Sequence, residues 1–258
     1  MHIKYHLKEK EMKSYGLLIF ITLSMAQGVR AQELKEIGYQ DKSQKLVGLL
    51  TTNAGSSESA VLILPAWKGI DDEAKAAAIS LAKEGYVALI ADIYGEGQIP
   101  ADNTEAAKLS ASYKADFLNY QHRIQLALDE LKKQGAKRVA IIGYCFGGTG
   151  ALEAARGGLD VLGVVCIHGS LNKAADRHNN PIQTKVLVQH PAADASVKQE
   201  HYDALVQELN DGDADWQIIT YAHAKHTFTN PQSADYNPLM AKRAWNHMLL
   251  FLQELFIQ

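Results

Sequence analysis

Cysteine is nearly absent from this chain: Cys145 and Cys166 are the two in 258 residues. That is far too few for a small domain built on disulfides, and their sequence contexts differ, so both are read as free thiols. Proline (6) and glycine (19) are too scarce for a low-complexity or linker-rich chain. No cluster of lysine and arginine with interleaved aromatics occurs, and the formal net charge is −3, so nucleic acid is not an expected partner. Long apolar runs are missing too: the longest, Leu17 to Met25, falls well short of the ~20 residues that span a bilayer. Cys/His metal-ligand spacing, a Gly-x-Gly-x-x-Gly turn and a phosphate loop are all lacking, so no cofactor and no metal is expected.

The short apolar run has a role of its own. Lys4, Lys8, Lys10 and Lys13 precede it, and Val29-Arg30-Ala31 follow it. A basic lead, a short apolar core and small residues before a cleavage point make residues 1–31 a secretory signal peptide. Met12 is a plausible true start, and an uncleaved membrane anchor is the alternative. The expectation is an exported protein, in a bacterial periplasm or secreted, with no stable membrane insertion after cleavage and a mildly acidic mature chain of residues 32–258.

Within that chain, two alternating stretches, Leu34 to Tyr39 and Lys45 to Leu50, predict an antiparallel pair. From Ala60 onward, apolar runs at 60–64, 86–91, 138–143, 162–167, 185–189 and 216–221 alternate with helix-like stretches at 71–83, 104–134, 148–156, 196–209 and 238–255. Uninterrupted Val/Ile/Leu runs suit strands covered on both faces. Asp71 or Asp72 and Ser196 are candidate helix caps, and Gly85 and Gly135 candidate helix stops. The repeated order predicts an α/β fold: one domain with a mostly parallel, doubly wound sheet and helices on both faces. Reactive residues in such sheets lie just past the carboxyl ends of the strands.

Gly143-Tyr144-Cys145-Phe146-Gly147-Gly148 sits between a strand and a helix and has the form of a nucleophile elbow with cysteine as nucleophile. Gly143 and Gly147 leave room where the backbone doubles back. The following helix presents its positive end to the thiol, which favours thiolate, and the N–H of Phe146 would face a developing oxyanion. A base is needed. Of ten histidines, His226 follows the last strand run and precedes the final helix, the position of the base in this architecture; His223 competes, and His168 and His190 also end strands. Asp194, between nucleophile and base in sequence, is the best-placed acid to orient the base, with a helix-capping role as its alternative. The loop Pro65-Ala66-Trp67-Lys68-Gly69 would supply the second oxyanion N–H from Trp67. Cys166, inside an apolar run, reads as a buried small hydrophobe.

These residues together resemble the dienelactone hydrolase family of α/β-hydrolases over nearly all of residues 33–258. The carriers are the cysteine elbow (143–148), Ala-Asp-Ile-Tyr-Gly (91–95), Ala-Asp-Trp-Gln (214–217) and His-Thr-Phe-Thr-Asn-Pro (226–231). The resemblance implies Cys145 as nucleophile, Asp194 as orienter, His226 as base, and Tyr94, Ala66, Tyr144 and Asn230 around the substrate. Two positions depart from the family. Ala66 stands where members usually carry a glutamate that exchanges a proton with the cysteine, so His226 should act on Cys145 directly. Asn230 stands where dienelactone-cleaving members carry an arginine, which removes a bidentate carboxylate clamp and argues against dienelactone itself. The expected activity is hydrolysis of a small carboxylic ester or lactone through an acyl-enzyme, by a monomer or small homo-oligomer. A thioesterase or a non-catalytic periplasmic binding protein on the same fold are the alternatives.

Overall fold

A computed structural model describes residues 33–52 and 58–257 of the chain; the signal-peptide assignment for residues 1–31 lies outside the described residues. Eight strands form one sheet in the order β1-β2-β4-β3-β5-β6-β7-β8. The first two, β1 (Leu34–Asp41) and β2 (Gln44–Thr51), pair antiparallel, as their alternation predicts. β2 also pairs antiparallel with β4 (Val87–Ile90). The rest are parallel: β3 (Ser59–Leu64), β4, β5 (Arg138–Tyr144), β6 (Gly163–Ile167), β7 (Lys185–Pro191) and β8 (Trp216–Tyr221). This is the mostly parallel, doubly wound sheet expected from the alternating runs, and the α/β-hydrolase arrangement that the resemblance implies.

Alternation along each parallel strand divides the core in two. Leu62, Leu64, Ile141, Val164 and Val186 pack on one face beneath α3 (Phe117–Lys133), α4 (Phe146–Arg156) and α5 (Gln199–Asp211). Val61, Ile63, Ala140, Ile142, Val165 and Leu187 pack on the other, beneath α1 (Asp72–Lys83) and α6 (Pro238–Ile257). Both faces are therefore dry, which is why β3, β5 and β6 tolerate no polar residue in their interiors.

The helix signals resolve unevenly. Asp71 caps α1 by accepting from the N–H of Ala74 at 2.9 Å. Gly85 closes α1 and Gly135 closes α3, each at positive φ, with the two backbone bonds of a Schellman ending. The single helix predicted over 104–134 is two, α2 (Asn103–Ala115) and α3, because Asp116 leaves helical geometry (φ −97°, ψ 71°) and caps the second through Asn119. Ser196 does not cap α5, which starts at Gln199; its hydroxyl is taken by Asp194 instead.

Parallel register sets the site. Leu64 lies opposite Gly143, Gly143 opposite Cys166, and Ile167 opposite Gln189. The carboxyl ends of these strands thus form one edge, and the loops after β3, β5, β6, β7 and β8 all open there. The chain reverses its winding direction between β3 and β5, the place where such sheets leave a crevice.

Candidate active site

Cys145 occupies that crevice, as the residue between β5 and α4, with φ 53° and ψ −110°. No L-residue prefers this conformation, so the surrounding contacts must hold it. Two glycines make it feasible. A Cβ on Gly143 would lie 1.9 Å from the Gly147 carbonyl oxygen, and one on Gly147 would lie 2.0 Å from the Leu64 oxygen. The Cys145 N–H donates to the Ile167 carbonyl at 3.0 Å and to Nδ1 of His168 at 3.2 Å.

Three side chains from three loops, Cys145, His226 and Asp194, are linked in a row. Nε2 of His226, after β8, is 3.1 Å from Sγ of Cys145, and its Nδ1 is 2.7 Å from Oδ2 of Asp194, after β7. The other Asp194 oxygen accepts from the backbone N–H and the hydroxyl of Ser196, at 2.9 and 2.6 Å. Burial works against a charged Asp194, but its bonds from His226 and Ser196 win and hold the carboxyl down at about 2. Burial likewise opposes an imidazolium at His226, and the hydrogen bonds to Asp194 and Cys145 overcome it, raising the group to about 10. His223, the competing base, is exposed on the turn before His226 at φ 61° and makes no such contact.

A cleft of about 300 Å³ opens beside the thiol, lined by Ala66, Trp67, Asp71, Glu73, His168 and Asn230 among others. No side-chain carboxylate comes from position 66; the two acidic groups facing the cleft come from the start of α1. Tyr94 does not line it. The Tyr94 ring stacks on Phe146 (5.6 Å between centroids) and its hydroxyl donates to the Trp67 carbonyl at 2.8 Å, so it buttresses the loop after β3. Tyr144 shares the face of Ala140 and Ile142 and lines a separate cleft between α1 and α6. Phe146 is buried in a stack with Tyr120 (4.5 Å, 4°), and its N–H, at the first turn of α4, has no helical acceptor.

Three contributors had weak or no sequence signals. Ser196 and Thr229 are ordinary polar loop residues, and Glu73 reads as a helix-start acid. His168 had one, its place at the end of β6. Asp92 of the 91–95 motif is structural: its carboxylate accepts from the N–H groups of Val47 and Gly95, tying the loop after β4 to β2. Among the described residues, no group of three or more His, Cys, Asp or Glu is placed to hold a metal ion, and no helix is long and apolar enough to cross a membrane.

The model of the dienelactone hydrolase family matches residues 46–256. The chain belongs to this family. Such a hydrolase is a carboxylic ester hydrolase, a lactone being an internal ester. The chain is 28% identical over 208 residues to a probable 2-oxo-3-(5-oxofuran-2-ylidene)propanoate lactonase from a Bradyrhizobium species, covering 75% of this chain and 83% of the relative. Among solved structures, a dienelactone hydrolase-like promiscuous phosphotriesterase from metagenomic libraries superposes with a TM-score of 0.80 at 31% identity, over 87% of this chain and 99% of that one. A dienelactone hydrolase-type protein from Klebsiella pneumoniae shares the fold, with a TM-score of 0.72 at 21% identity, over 86% and 99% of the two chains.

The two thiols of this hydrolase should separate cleanly under alkylation. Cys166 is fully buried and burial pushes its thiol up to about 12, while Cys145 is partly exposed beside His226, whose imidazole is pushed up against burial by its bonds to Asp194 and Cys145. Iodoacetamide at pH 6.5 should label Cys145 within minutes and leave Cys166 unlabelled in the folded protein, read by peptide mass spectrometry. Equal labelling of both would show that the two environments do not differ as described.

Proposed function

We propose that this hydrolase cleaves small, uncharged carboxylic esters or lactones by acyl transfer through Cys145, His226 and Asp194. One observation carries the reading: a thiol on a strained strand-to-helix turn lies 3.1 Å from a histidine whose other nitrogen is 2.7 Å from a buried carboxylate. Nucleophile, base and orienter are then each within hydrogen-bond reach of the next.

The Cys145 sulfur attacks the carbonyl carbon as a thiolate, with its proton on His226. The carbonyl oxygen becomes an oxyanion that the N–H groups of Phe146 and Trp67 can receive. Collapse breaks the carbon–oxygen bond to the alcohol, which takes the proton from Nε2 of His226. Water then attacks the thioester while His226 accepts its proton; the carbon–sulfur bond breaks, the acid leaves, and Cys145 returns as thiolate. Asp194 holds the imidazole with Nε2 toward sulfur and stabilises its cation. With alanine at position 66, no carboxylate from that loop competes for the Cys145 proton.

The cleft supports the choice of uncharged substrates. Asn230 contributes a neutral amide, its Oδ1 already engaged by the N–H of Gln232 at 2.9 Å, and the cleft wall carries charges of both signs, Asp71 and Glu73 against Lys68, with no arginine fork to clamp a substrate carboxylate. Mixing the enzyme with p-nitrophenyl acetate should give a burst of nitrophenol matching the enzyme concentration, with one acyl group on the Cys145 peptide. Absence of any acylated Cys145 during steady turnover would overturn the mechanism. A panel of neutral and anionic esters, lactones, thioesters and a phosphotriester then ranks substrates; preference for the anionic members would refute the reading of the cleft.

A further inference from the structure

Behind the nucleophile runs a second hydrogen-bonded chain. The backbone N–H of Cys145 is shared between the Ile167 carbonyl (3.0 Å) and Nδ1 of His168 (3.2 Å), Nε2 of His168 lies 2.8 Å from Oγ1 of Thr229, and that hydroxyl lies 2.6 Å from Oε1 of Glu73. These groups come from the turns after β5 and β6, the loop after β8 and α1. We propose that Glu73, Thr229 and His168 are positioning residues whose directed hydrogen bonds fix the strained backbone of Cys145. The proposal rests on the reading of Cys145 as nucleophile.

The direction of the chain follows from its ends. A backbone N–H can only donate, so Nδ1 of His168 must accept and a neutral ring carries its hydrogen on Nε2. That hydrogen goes to Thr229, and the hydroxyl hydrogen of Thr229 goes to Glu73. Neutrality of the ring is secured by burial, which holds His168 down at about 3. The imidazole ring itself is clamped between His226 (5.3 Å between centroids, 61°) and Phe228 (5.8 Å, 73°), on a residue at φ 41°. Strain at two consecutive loop ends, Cys145 and His168, persists only where contacts over-determine it, and this chain joins the two.

Ionised Glu73 can only accept, which locks the direction. Protonated, it can donate to Thr229, the hydroxyl can turn toward Nε2, and the ring proton moves to Nδ1, where it opposes the Cys145 N–H. Burial raises Glu73 to about 7 and Asp71 adds to the rise, against the bond from Thr229, so the lock sets near neutrality. The other groups around Glu73 are Tyr144 from β5, Tyr236, and the exposed Lys242 of α6, all in the cleft between α1 and α6, and Lys68, His168 and Cys145 in the active-site cleft.

The test uses the purified full chain, p-nitrophenyl acetate and three variants. Thr229→Val severs the chain at nearly constant volume and should lower kcat by about 10–100-fold with KM changed less than about twofold. Thr229→Ser keeps the hydroxyl and should recover kcat to within about threefold of the parent. Parent kcat should fall as the pH drops and Glu73 takes up its proton, and Glu73→Gln should remove that limb. Nitrogen NMR of histidine-labelled protein reads the chain without turnover: His168 should be the Nε2–H tautomer at pH 8 in the parent and lose that preference in Thr229→Val. A Thr229→Ser variant as impaired as Thr229→Val, or an Nδ1–H tautomer at pH 8, would each overturn the proposal. If Thr229→Val does not fold, Glu73→Gln and the parent tautomer decide it. Activity surviving Cys145→Ala would instead sink the nucleophile assignment, and the tautomer measurement still judges the chain.

Discussion

Cys145→Ala is expected to lower kcat/KM for p-nitrophenyl acetate by about 10⁴-fold or more while leaving the urea midpoint unchanged. In the proposed mechanism the Cys145 sulfur is the atom that bonds to the acyl carbon, so its loss leaves water as attacker, helped only by oxyanion donors and binding. His226→Ala should cost nearly as much, because a thiol without a base 3.1 Å away cannot pass a proton to the leaving alcohol. The double variant should be scarcely worse than either single one, since the residues act as a unit. Asp194→Asn should be milder in geometry but still severe, because an amide presents a neutral partner to a histidine that turns cationic. A Cys145→Ala enzyme retaining more than about a tenth of the parent rate would place the chemistry elsewhere in the molecule.

Gly147→Ala should destabilise the fold by more than about 3 kcal/mol, seen as a large fall in the urea midpoint or as insoluble protein. The reason is close approach: a Cβ at this position meets the Leu64 carbonyl oxygen at 2.0 Å and the Pro65 oxygen at 2.7 Å. Both are backbone atoms at the end of β3, which cannot swing aside as a side-chain tip would. Relief would require α4 to lift from the sheet, carrying Cys145 away from His226, so residual folded protein should also be inactive. Gly38→Ala is the control. A Cβ there meets nothing within 4 Å, and the change should stay within about 0.5 kcal/mol of the parent. Equal midpoints for the two variants would show that α4 does not press on β3 as described.

Much of this site is legible along the chain because the fold ties reactive positions to strand ends. Runs of Val, Ile and Leu mark strands dry on both sides, and the residues just beyond them, Trp67, Cys145, His168, Asp194 and His226, all reach one edge. Tyr144 shows what period alone could have corrected. It alternates with Gly143 and shares the face of Ala140 and Ile142, so its side chain packs toward α1 and α6 and not into the cleft beside Cys145. The division of the 104–134 stretch at Asp116 was hidden because apolar periodicity continues on both sides of the break. Ser196 was misread as a cap because a serine before a helix serves a cap or a carboxylate equally well, and only the position of Asp194 decides which.

By itself, then, the sequence determined the α/β order, the elbow glycines and the placement of Cys145, Asp194 and His226 just past strand ends. These are local properties: periodicity, turn chemistry and placement after a strand. Tertiary structure alone decided that Glu73 reaches Thr229 across 156 positions, that His168 stands behind Cys145, and that Tyr94 braces a loop. The physical reason is that such contacts depend on strand register and on how α1 and α6 settle over the sheet, and neither leaves a periodic trace in the residues that eventually touch.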